Sequence, residues 1–140
     1  MRLLLDTHVM IWWDSGTAMS DEAMHAIWHA DQVYVSAVTG WEIAIKASLG
    51  RIETSRSTVS AVAESGFEEL PVRLAHADVV RGLPHHHRDP FDRILVAQAI
   101  AESNIKVSKS ALDEAFQAYR KRFKSDAQFE NYLKHGKLTE

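Results

Sequence analysis

The sequence contains no cysteine, and its apolar runs are short. Without cysteine there is no disulfide framework, no thiolate zinc site and no cysteine nucleophile, which fits a reducing compartment. The beginning of the chain, MRLLLDTHVM, places only three leucines before an acidic residue, too short an apolar run for a signal peptide or a membrane span. We therefore expect a cytoplasmic protein without a membrane segment. A chain of 140 residues predicts a single domain spanning residues 1–140.

The chain also lacks a net positive charge, since its formal charge is −3. Its overall charge therefore does not indicate nucleic-acid binding. Basic residues are nevertheless concentrated at one end, because residues 105–140 hold eight Lys and Arg against five Asp and Glu. The cluster Arg120, Lys121, Arg122 and Lys124 either attracts phosphate or forms a solvated helix face, and the sequence leaves both interpretations open.

Short apolar runs alternate with stretches of helical periodicity along the chain. The predicted strands are RLLL, VYVS, FEELPV and IKVS. The predicted helices are THVMIWWDSG, SDEAMHAIWHAD, AVTGWEIAIKASLG, STVSAVAESG, RLAHADVVRGL, the segment from Pro90 to Ser103, and LDEAFQAYRKRF. Alternating strands and helices predict an α/β domain with a parallel sheet and right-handed crossovers.

The segment LPHHHRDPFDR combines histidines, acids and arginines just before the longest predicted helix. Asp89 occupies the N-cap position, Pro90 the first helical position and Asp92 the third. All three are favoured choices at a helix start, so helix capping alone explains both aspartates. Catalysis or metal binding is the alternative, and it depends on acids elsewhere in the chain.

Two distant acids strengthen that alternative. Asp6 ends the first apolar run, and the carboxyl ends of strands line the ligand crevice of an open α/β sheet; capping of the next helix, assisted by Thr7, is its structural explanation. Glu42 lies among apolar residues in GWEIAIKA, although a carboxylate is rarely buried unless it is paired or coordinated. Its structural explanation is a pair with Lys46 one turn further along the helix.

Several carboxylates that converge at one edge of a sheet would repel each other unless a cation neutralised them. Oxygen ligands without cysteine select Mg²⁺ or Mn²⁺ rather than zinc. Such ions activate water and stabilise the charge that develops when a phosphodiester is hydrolysed. Convergence of these acids therefore predicts nuclease chemistry.

Three segments, LLLDTH, SAVTGWEIAIKASLGRI and LPHHHRDPFDRILVAQA, resemble the PIN-domain family and, more narrowly, the VapC-type toxins of type II toxin–antitoxin pairs. The similarity covers about residues 2–119 and leaves 120–140 as a basic helical extension. The resemblance implies a three-layer α/β/α fold with a central, mainly parallel sheet. It also implies Mg²⁺- or Mn²⁺-dependent endoribonuclease activity on RNA and a cognate antitoxin whose C-terminal segment covers the active-site groove. We also expect a homodimer.

The resemblance implies roles for individual residues. Asp6, Glu42 and Asp92 match the three metal-binding and catalytic acids of the family. Three further residues match accessory positions. Asp89 lies three residues before the third acid, and Thr7 directly follows the first. Arg93 would contact an RNA phosphate or an antitoxin carboxylate, or else pair with Asp89.

The fourth acid is the point at which this sequence departs from the family. Ser110 stands where the pattern Thr-x-Asp would place an acid, although Phe116 and Tyr119 keep the spacing that follows. An insertion of three residues would make Asp113 the matching ligand. Otherwise Asp113 is an acid in the first turn of a helix, and the second metal site is the one in doubt.

The remaining histidines and tryptophans favour structural interpretations. Three consecutive histidines, 85–87, cannot all face one ion, so a zinc cluster is disfavoured and a solvated turn is favoured. Trp28 and Trp41 fall on apolar helical faces and are expected in the core, whereas base stacking is the alternative. Adjacent Trp12 and Trp13 cannot both point inward, so one of them is expected at a partner or dimer surface.

Two other functions compete with the nuclease. One is a PIN-like RNA- or protein-binding module with weakened catalysis. The other is phosphoaspartyl chemistry with Asp6 as the nucleophile, which the sequence disfavours because DTH lacks the second aspartate of a D-x-D phosphatase loop.

Overall fold

The computed structural model of the chain describes residues 1–16, 19–85, 89–102 and 105–107. Within these ranges strands and helices alternate as the sequence predicts. They are β1 (Arg2–Leu5), α1 (Thr7–Ser15), α2 (Asp21–His29), β2 (Gln32–Ser36), α3 (Ala37–Ser48), α4 (Thr58–Glu64), β3 (Glu68–Leu70), α5 (Leu74–Arg81), α6 (Pro90–Ala101) and β4 (Ile105–Val107).

The four strands form one parallel sheet in the order β3-β2-β1-β4. In the register of the central pair, Leu3 lies opposite Val33 and Leu5 opposite Val35. The predicted α/β class with a parallel sheet is therefore confirmed. Because β1 and β2 are central and parallel, their carboxyl ends meet at one edge, which is where ligands bind in sheets of this kind.

Helices cover both faces of the sheet, and β1 shows how. Leu4 belongs to a buried cluster that includes Leu95 and other residues of α6, whereas Leu3 and Leu5 belong to a second cluster with residues of α1, α2 and α4. Successive side chains of a strand point to opposite faces, so the run RLLL is apolar throughout because both faces of β1 are covered. This arrangement has the three layers, α/β/α, that the sequence predicts.

Local signals at the helix ends agree with the structure. Ser20 accepts a hydrogen bond from Ala23 N at the start of α2, and Ser57 accepts one from Ser60 N at the start of α4. A serine at the N-cap satisfies one of the four backbone N–H groups that have no partner within the helix. These caps explain why the helices begin where the sequence predicts.

Gly16 ends α1 with φ 72°, a conformation in which its N–H donates to the carbonyl of Trp12. We expect Gly16→Ala to lower the free energy of unfolding by about 1 kcal/mol, because a Cβ is unfavourable at positive φ. An added Cβ would meet no atom of the described residues within 4 Å, its chain neighbours apart, so we expect the effect to be conformational. Gly82→Ala is the matched control, since Gly82 has φ −91° and should tolerate alanine. Urea denaturation of the two variants checks this, and equal effects would contradict the explanation.

Arg56 fastens the loop before α4 to α1. Its Nε donates to Asp14 Oδ1 at 2.8 Å, and its Nη1 pairs with Glu64. The hydrogen bond to Asp14 raises the pKa of Arg56. The guanidinium is always charged in proteins, so these contacts form an ion-pair network that joins the loop to both helices.

The tryptophans correct one prediction from the sequence. Trp28 and Trp41 were expected in the core, but their exposed fractions are 69% and 62%. In α3 the buried positions include Thr39 and Glu42, so the inward face is partly polar and Trp41 is rotated outward. In α2 only Ile27 is buried, and its neighbour Trp28 lies about 100° further round the helix.

The two adjacent tryptophans of α1 differ in exposure, as expected from the sequence. Trp12 is 43% exposed, whereas Trp13 is half-buried and its Nε1 donates to Ser65 Oγ at 3.0 Å.

Several predictions fall outside the described residues. They are the last helix, LDEAFQAYRKRF, the basic cluster and the extension over 120–140, the ligand candidate Asp113, and His86 and His87 of the histidine run. Among the helices that the structure does describe, none has the length and apolarity needed to cross a membrane.

Candidate active site

Asp6 lies at the carboxyl end of β1 and is almost fully buried, with 3% of its surface exposed. Its backbone is extended, and its Oδ1 accepts a hydrogen bond from Val9 N at 2.8 Å, which caps α1. The structural explanation for Asp6 is therefore correct, and it does not conflict with a ligand role. Capping orients the carboxylate at the edge where the central strands end.

Two buried threonines connect α1 to α3 beside this acid. The hydroxyl oxygens of Thr7 and Thr39 lie 3.3 Å apart, and their exposed fractions are 3% and 0%. Sequence reasoning identified Thr7 and missed Thr39. The signal was present, because Thr39 stands three residues before Glu42, a spacing that places both on one face of a helix.

Glu42 is buried, with 4% of its surface exposed, on the inward face of α3. Its Oε2 pairs with Lys46 Nζ at 2.8 Å, so the predicted pair one turn apart exists. Its Oε1 is buried and has no hydrogen-bond partner among the residues that the structure describes. A buried carboxylate oxygen without a partner is unfavourable by about 1–3 kcal/mol or more, because it has lost its water and gained nothing in return.

The start of α6 carries the other two predicted acids. Asp89 Oδ1 accepts hydrogen bonds from Phe91 N at 2.8 Å and from Asp92 N at 3.4 Å, so the N-cap prediction is confirmed. Asp92 is half-buried in the first turn of the helix, where the N-terminal dipole favours a negative charge.

Arg93 holds the loop that precedes α6. Its guanidinium donates to the carbonyl oxygens of Pro84 at 2.8 Å, Val80 at 3.1 Å and Leu83 at 3.4 Å. Neither a phosphate nor a partner is needed to explain these contacts. The arginine fixes the position of the helix start and thereby of Asp92.

A second polar contact that the sequence did not reveal holds α6 from the opposite end. His76 is buried, its Nδ1 accepts from Arg73 N at 3.0 Å, and its Nε2 lies 3.0 Å from Glu102 Oε1. Because Nδ1 accepts, Nε2 carries the proton and donates to Glu102. Gln98, which is also on α6, donates from its Nε2 to the carbonyl oxygen of Pro71 at 3.2 Å. These contacts support the helix rather than the chemistry.

The three elements that carry Asp6, Glu42 and Asp92 are neighbours. The threonine contact joins the start of α1 to α3, and the rings of Trp41 and Phe91, 5.1 Å apart between centroids, join α3 to α6. In the part of the chain that the structure describes, no group of three or more histidine, aspartate or glutamate side chains is arranged to hold a metal ion. A site shared by the three acids therefore stays a prediction.

The donor set itself fits a hard divalent cation. The buried Oε1 of Glu42 is a ligand oxygen to which no other described residue donates, and the two aspartates would add further oxygens of the kind that Mg²⁺ and Mn²⁺ prefer. The described acids lie beside threonine hydroxyls and a lysine, with no thiolate in the sequence to favour zinc.

The chain was compared with known proteins. A family model described as the PIN domain matches residues 3–122, a range that includes all four predicted ligand positions. The protein "Ribonuclease VapC22" of Mycobacterium tuberculosis (strain ATCC 25618 / H37Rv) is 32% identical over 102 residues, which is 70% of this chain and 78% of that relative. The chain therefore belongs to the PIN-domain family and resembles the VapC type within it.

Proposed function

We propose that this protein is a metal-dependent endoribonuclease that hydrolyses RNA phosphodiester bonds, and that it acts as the toxin of a toxin–antitoxin pair. The observation that carries the proposal is the buried Glu42, whose Oε1 has no partner within the described part of the chain, on a helix next to the carboxyl end of β1. The similarity to a ribonuclease of the VapC type supports the choice of RNA as the substrate. An RNA substrate and a chain without cysteine also fit action in the cytoplasm.

Asp6, Glu42 and Asp92 are the residues that would hold Mg²⁺ or Mn²⁺, with Asp113 as the candidate for a fourth ligand. When bound, such an ion lowers the pKa of a coordinated water and stabilises the charge that develops on the phosphate. The other contribution to the reaction comes from the protein's own side chains, which are held in position before substrate binds.

The described contacts prepare these side chains for that role. The hydrogen bond from Val9 N keeps the Asp6 carboxylate in one orientation, and Lys46 does the same for Glu42 through Oε2. The Oε1 of Glu42 is then available either as a ligand or to orient the attacking water. Because these groups are held before substrate arrives, little reorganisation is needed during the reaction.

The proposal includes two partners besides RNA. One is an antitoxin, which the VapC-type resemblance implies. The other is a second copy of the chain, for which the exposed Trp12 offers an apolar contact at the end of α1.

The test is RNA cleavage by the purified full chain. We expect added Mg²⁺ or Mn²⁺ to support cleavage of a mixed RNA substrate and EDTA to stop it. If the protein retained RNA on a filter with Mn²⁺ present but cut none, the catalytically weakened binding module would replace the nuclease.

Metal binding can be tested without any measurement of activity. We expect saturating Mn²⁺ to stabilise the folded protein, by about 2.7 kcal/mol at a hundredfold excess over its Kd. Glu42→Gln should remove most of this stabilisation, since an amide is a poorer ligand than a carboxylate. Glu53→Gln, a change of the same kind at an exposed residue, should keep it. Thermal unfolding with and without Mn²⁺ checks this, and equal stabilisation of both variants would exclude Glu42 as a ligand.

A further inference from the structure

Trp41 and Phe91 form an aromatic pair on the surface between α3 and α6. Their ring centroids are 5.1 Å apart and the ring planes meet at 71°, which is the favourable edge-to-face arrangement. Phe91 is half-buried and packs against the core cluster that contains Leu95. Trp41 is 62% exposed, so its indole is held from one side and open to solvent on the rest of its surface.

The pair lies beside the acids of the proposed active site. Trp41 immediately precedes Glu42, and Phe91 immediately precedes Asp92, so each aromatic residue shares a helix turn with an acid. An exposed tryptophan does not contribute the free energy of stabilisation that burial of its large apolar surface would give. A ligand that covers the ring during function would account for its exposure.

The surroundings of Trp41 favour a single flat ligand over a protein helix. The exposed residues one turn before and one turn after it on α3 are Ala37 and Ala44, and Gly40 also lies beside it. An amphipathic partner helix requires a continuous row of apolar side chains at helical spacing. On α3 the exposed residues one turn away from Trp41 are both alanines, so the helix does not present the row of large apolar side chains that a partner helix needs.

We propose that Trp41, supported by Phe91, stacks an unpaired base of single-stranded RNA next to the phosphate that is cleaved. This inference rests on the proposed function, because the acids beside the ring define where the phosphate would lie. Stacking of a base on an aromatic side chain is tolerant of sequence, since every base offers a flat face. Trp41 is thus a residue that binds and positions substrate, separate from the acids that would hold the metal.

The experiment measures binding of short single-stranded RNA oligonucleotides of uniform base to the full chain in EDTA, where no cleavage occurs. Trp41→Ala should weaken binding about 5- to 150-fold, the range that corresponds to loss of one stacked base. Trp41→Phe keeps an aromatic face and should retain most of the affinity.

Trp28→Ala is the matched control. Trp28 is 69% exposed and also lies edge-to-face with an aromatic ring, that of Trp13, at 5.8 Å. It lies on α2, away from the acids in sequence and in fold, so its replacement should leave RNA binding unchanged. Equal losses in Trp28→Ala and Trp41→Ala would overturn the proposal.

A second change in the ligand isolates the stacked base. The same oligonucleotides are prepared with one abasic position, moved stepwise along the strand. At one position the abasic site should weaken binding to the wild type by the same factor as Trp41→Ala, and it should add nothing in Trp41→Ala. Independent losses would show that the ring and the missing base do not touch, which overturns the proposal.

The outcome separates this inference from the nuclease proposal. If the wild type cuts no RNA with any divalent ion, the nuclease fails, while the binding measurements in EDTA still decide the role of Trp41. If it does cut RNA, Trp41→Ala should raise KM and leave kcat nearly unchanged, because stacking holds substrate and transition state alike. If Trp41→Ala changes the oligomeric state but not RNA binding, the ring is a contact between copies and the proposal is wrong.

Discussion

Replacement of Asp6 by Asn should lower metal-dependent RNA cleavage by about three orders of magnitude or more. Loss of an electrostatic contact that stabilises the transition state typically lowers kcat by about 10²–10³, and loss of a metal ligand removes both water activation and charge stabilisation. The position of Asp6 supports so large an effect, because its carboxylate is buried at the carboxyl end of the central strand β1.

The same substitution should leave thermal stability unchanged or slightly raised. Asn is as good an N-cap as Asp, so its side-chain oxygen can still accept from Val9 N. Removal of one negative charge also relieves repulsion among the acids when no metal is bound. Activity lost together with stability would point to a structural role instead, and that result would withdraw Asp6 from the mechanism.

The control is Asp21→Asn in the first turn of α2. Asp21 is exposed, and it favours its own helix as a first-turn acid near the positive end of the helix dipole, whereas Ser20 provides the cap. It is not one of the acids that we expect to bind metal. We expect normal cleavage from this variant. Measurement of initial rates across a range of Mn²⁺ concentrations distinguishes weaker metal binding from a defect that metal does not restore.

Local signals made the fold predictable. Serine before α2, Pro90 after Asp89 and Gly16 after α1 each favour one backbone conformation through a side-chain oxygen, a fixed ring or the absence of a Cβ. These effects operate within a few residues, so they can be recognised without tertiary contacts. The run RLLL likewise indicated a strand covered on both faces.

The direction in which Trp41 points could not be predicted in this way. Apolar periodicity assumes that the inward face of a helix is apolar, but α3 turns Thr39 and Glu42 inward. Two polar residues on the buried face rotate the helix relative to the expected orientation, and the tryptophan comes to the surface. Only contacts between elements, such as the hydroxyl pair of Thr7 and Thr39, reveal this.

The candidate site was also predictable only in part, because sequence patterns do not show which groups other elements bring to it. The sequence indicated that Glu42 is a carboxylate in an apolar segment and that Lys46 can pair with it, and in the structure Glu42 is buried and paired with Lys46. The unpartnered Oε1 could not be foreseen, because it depends on which groups other elements bring to α3. Whether Asp6, Glu42 and Asp92 share one ion stays a prediction.

Replacement of Lys46 by Met should lower the free energy of unfolding by about 2–3 kcal/mol in the absence of divalent ions. The lysine is the cation that pairs with Glu42, whose side chain is 6% exposed. Removal of one partner of a largely buried ion pair leaves the other charge without compensation, which is strongly destabilising. Methionine keeps the aliphatic length of lysine, so the loss reports on charge rather than on packing.

A double-mutant cycle with Glu42→Gln separates these contributions. In the glutamine background no carboxylate is left without a partner, so Lys46→Met should cost only about 0.5 kcal/mol, which is typical of a surface residue. The difference between the two backgrounds measures the interaction of the pair, and urea denaturation of the four proteins gives it. Equal losses in both backgrounds would show that Lys46 stabilises α3 independently of Glu42.

Divalent ions should reverse part of the loss in Lys46→Met. Where Glu42 has lost its lysine, a bound Mn²⁺ would supply a positive charge in place of the missing ammonium group, so the ion should stabilise this variant more than the wild type. The protein with both substitutions should gain little, since its amide is neutral and ligates weakly. Lysine and metal would then stabilise the same carboxylate, the lysine through Oε2 and the metal through the oxygen that no described residue contacts. If Mn²⁺ stabilised all four proteins equally, its site would not include Glu42, and the buried oxygen would need another explanation.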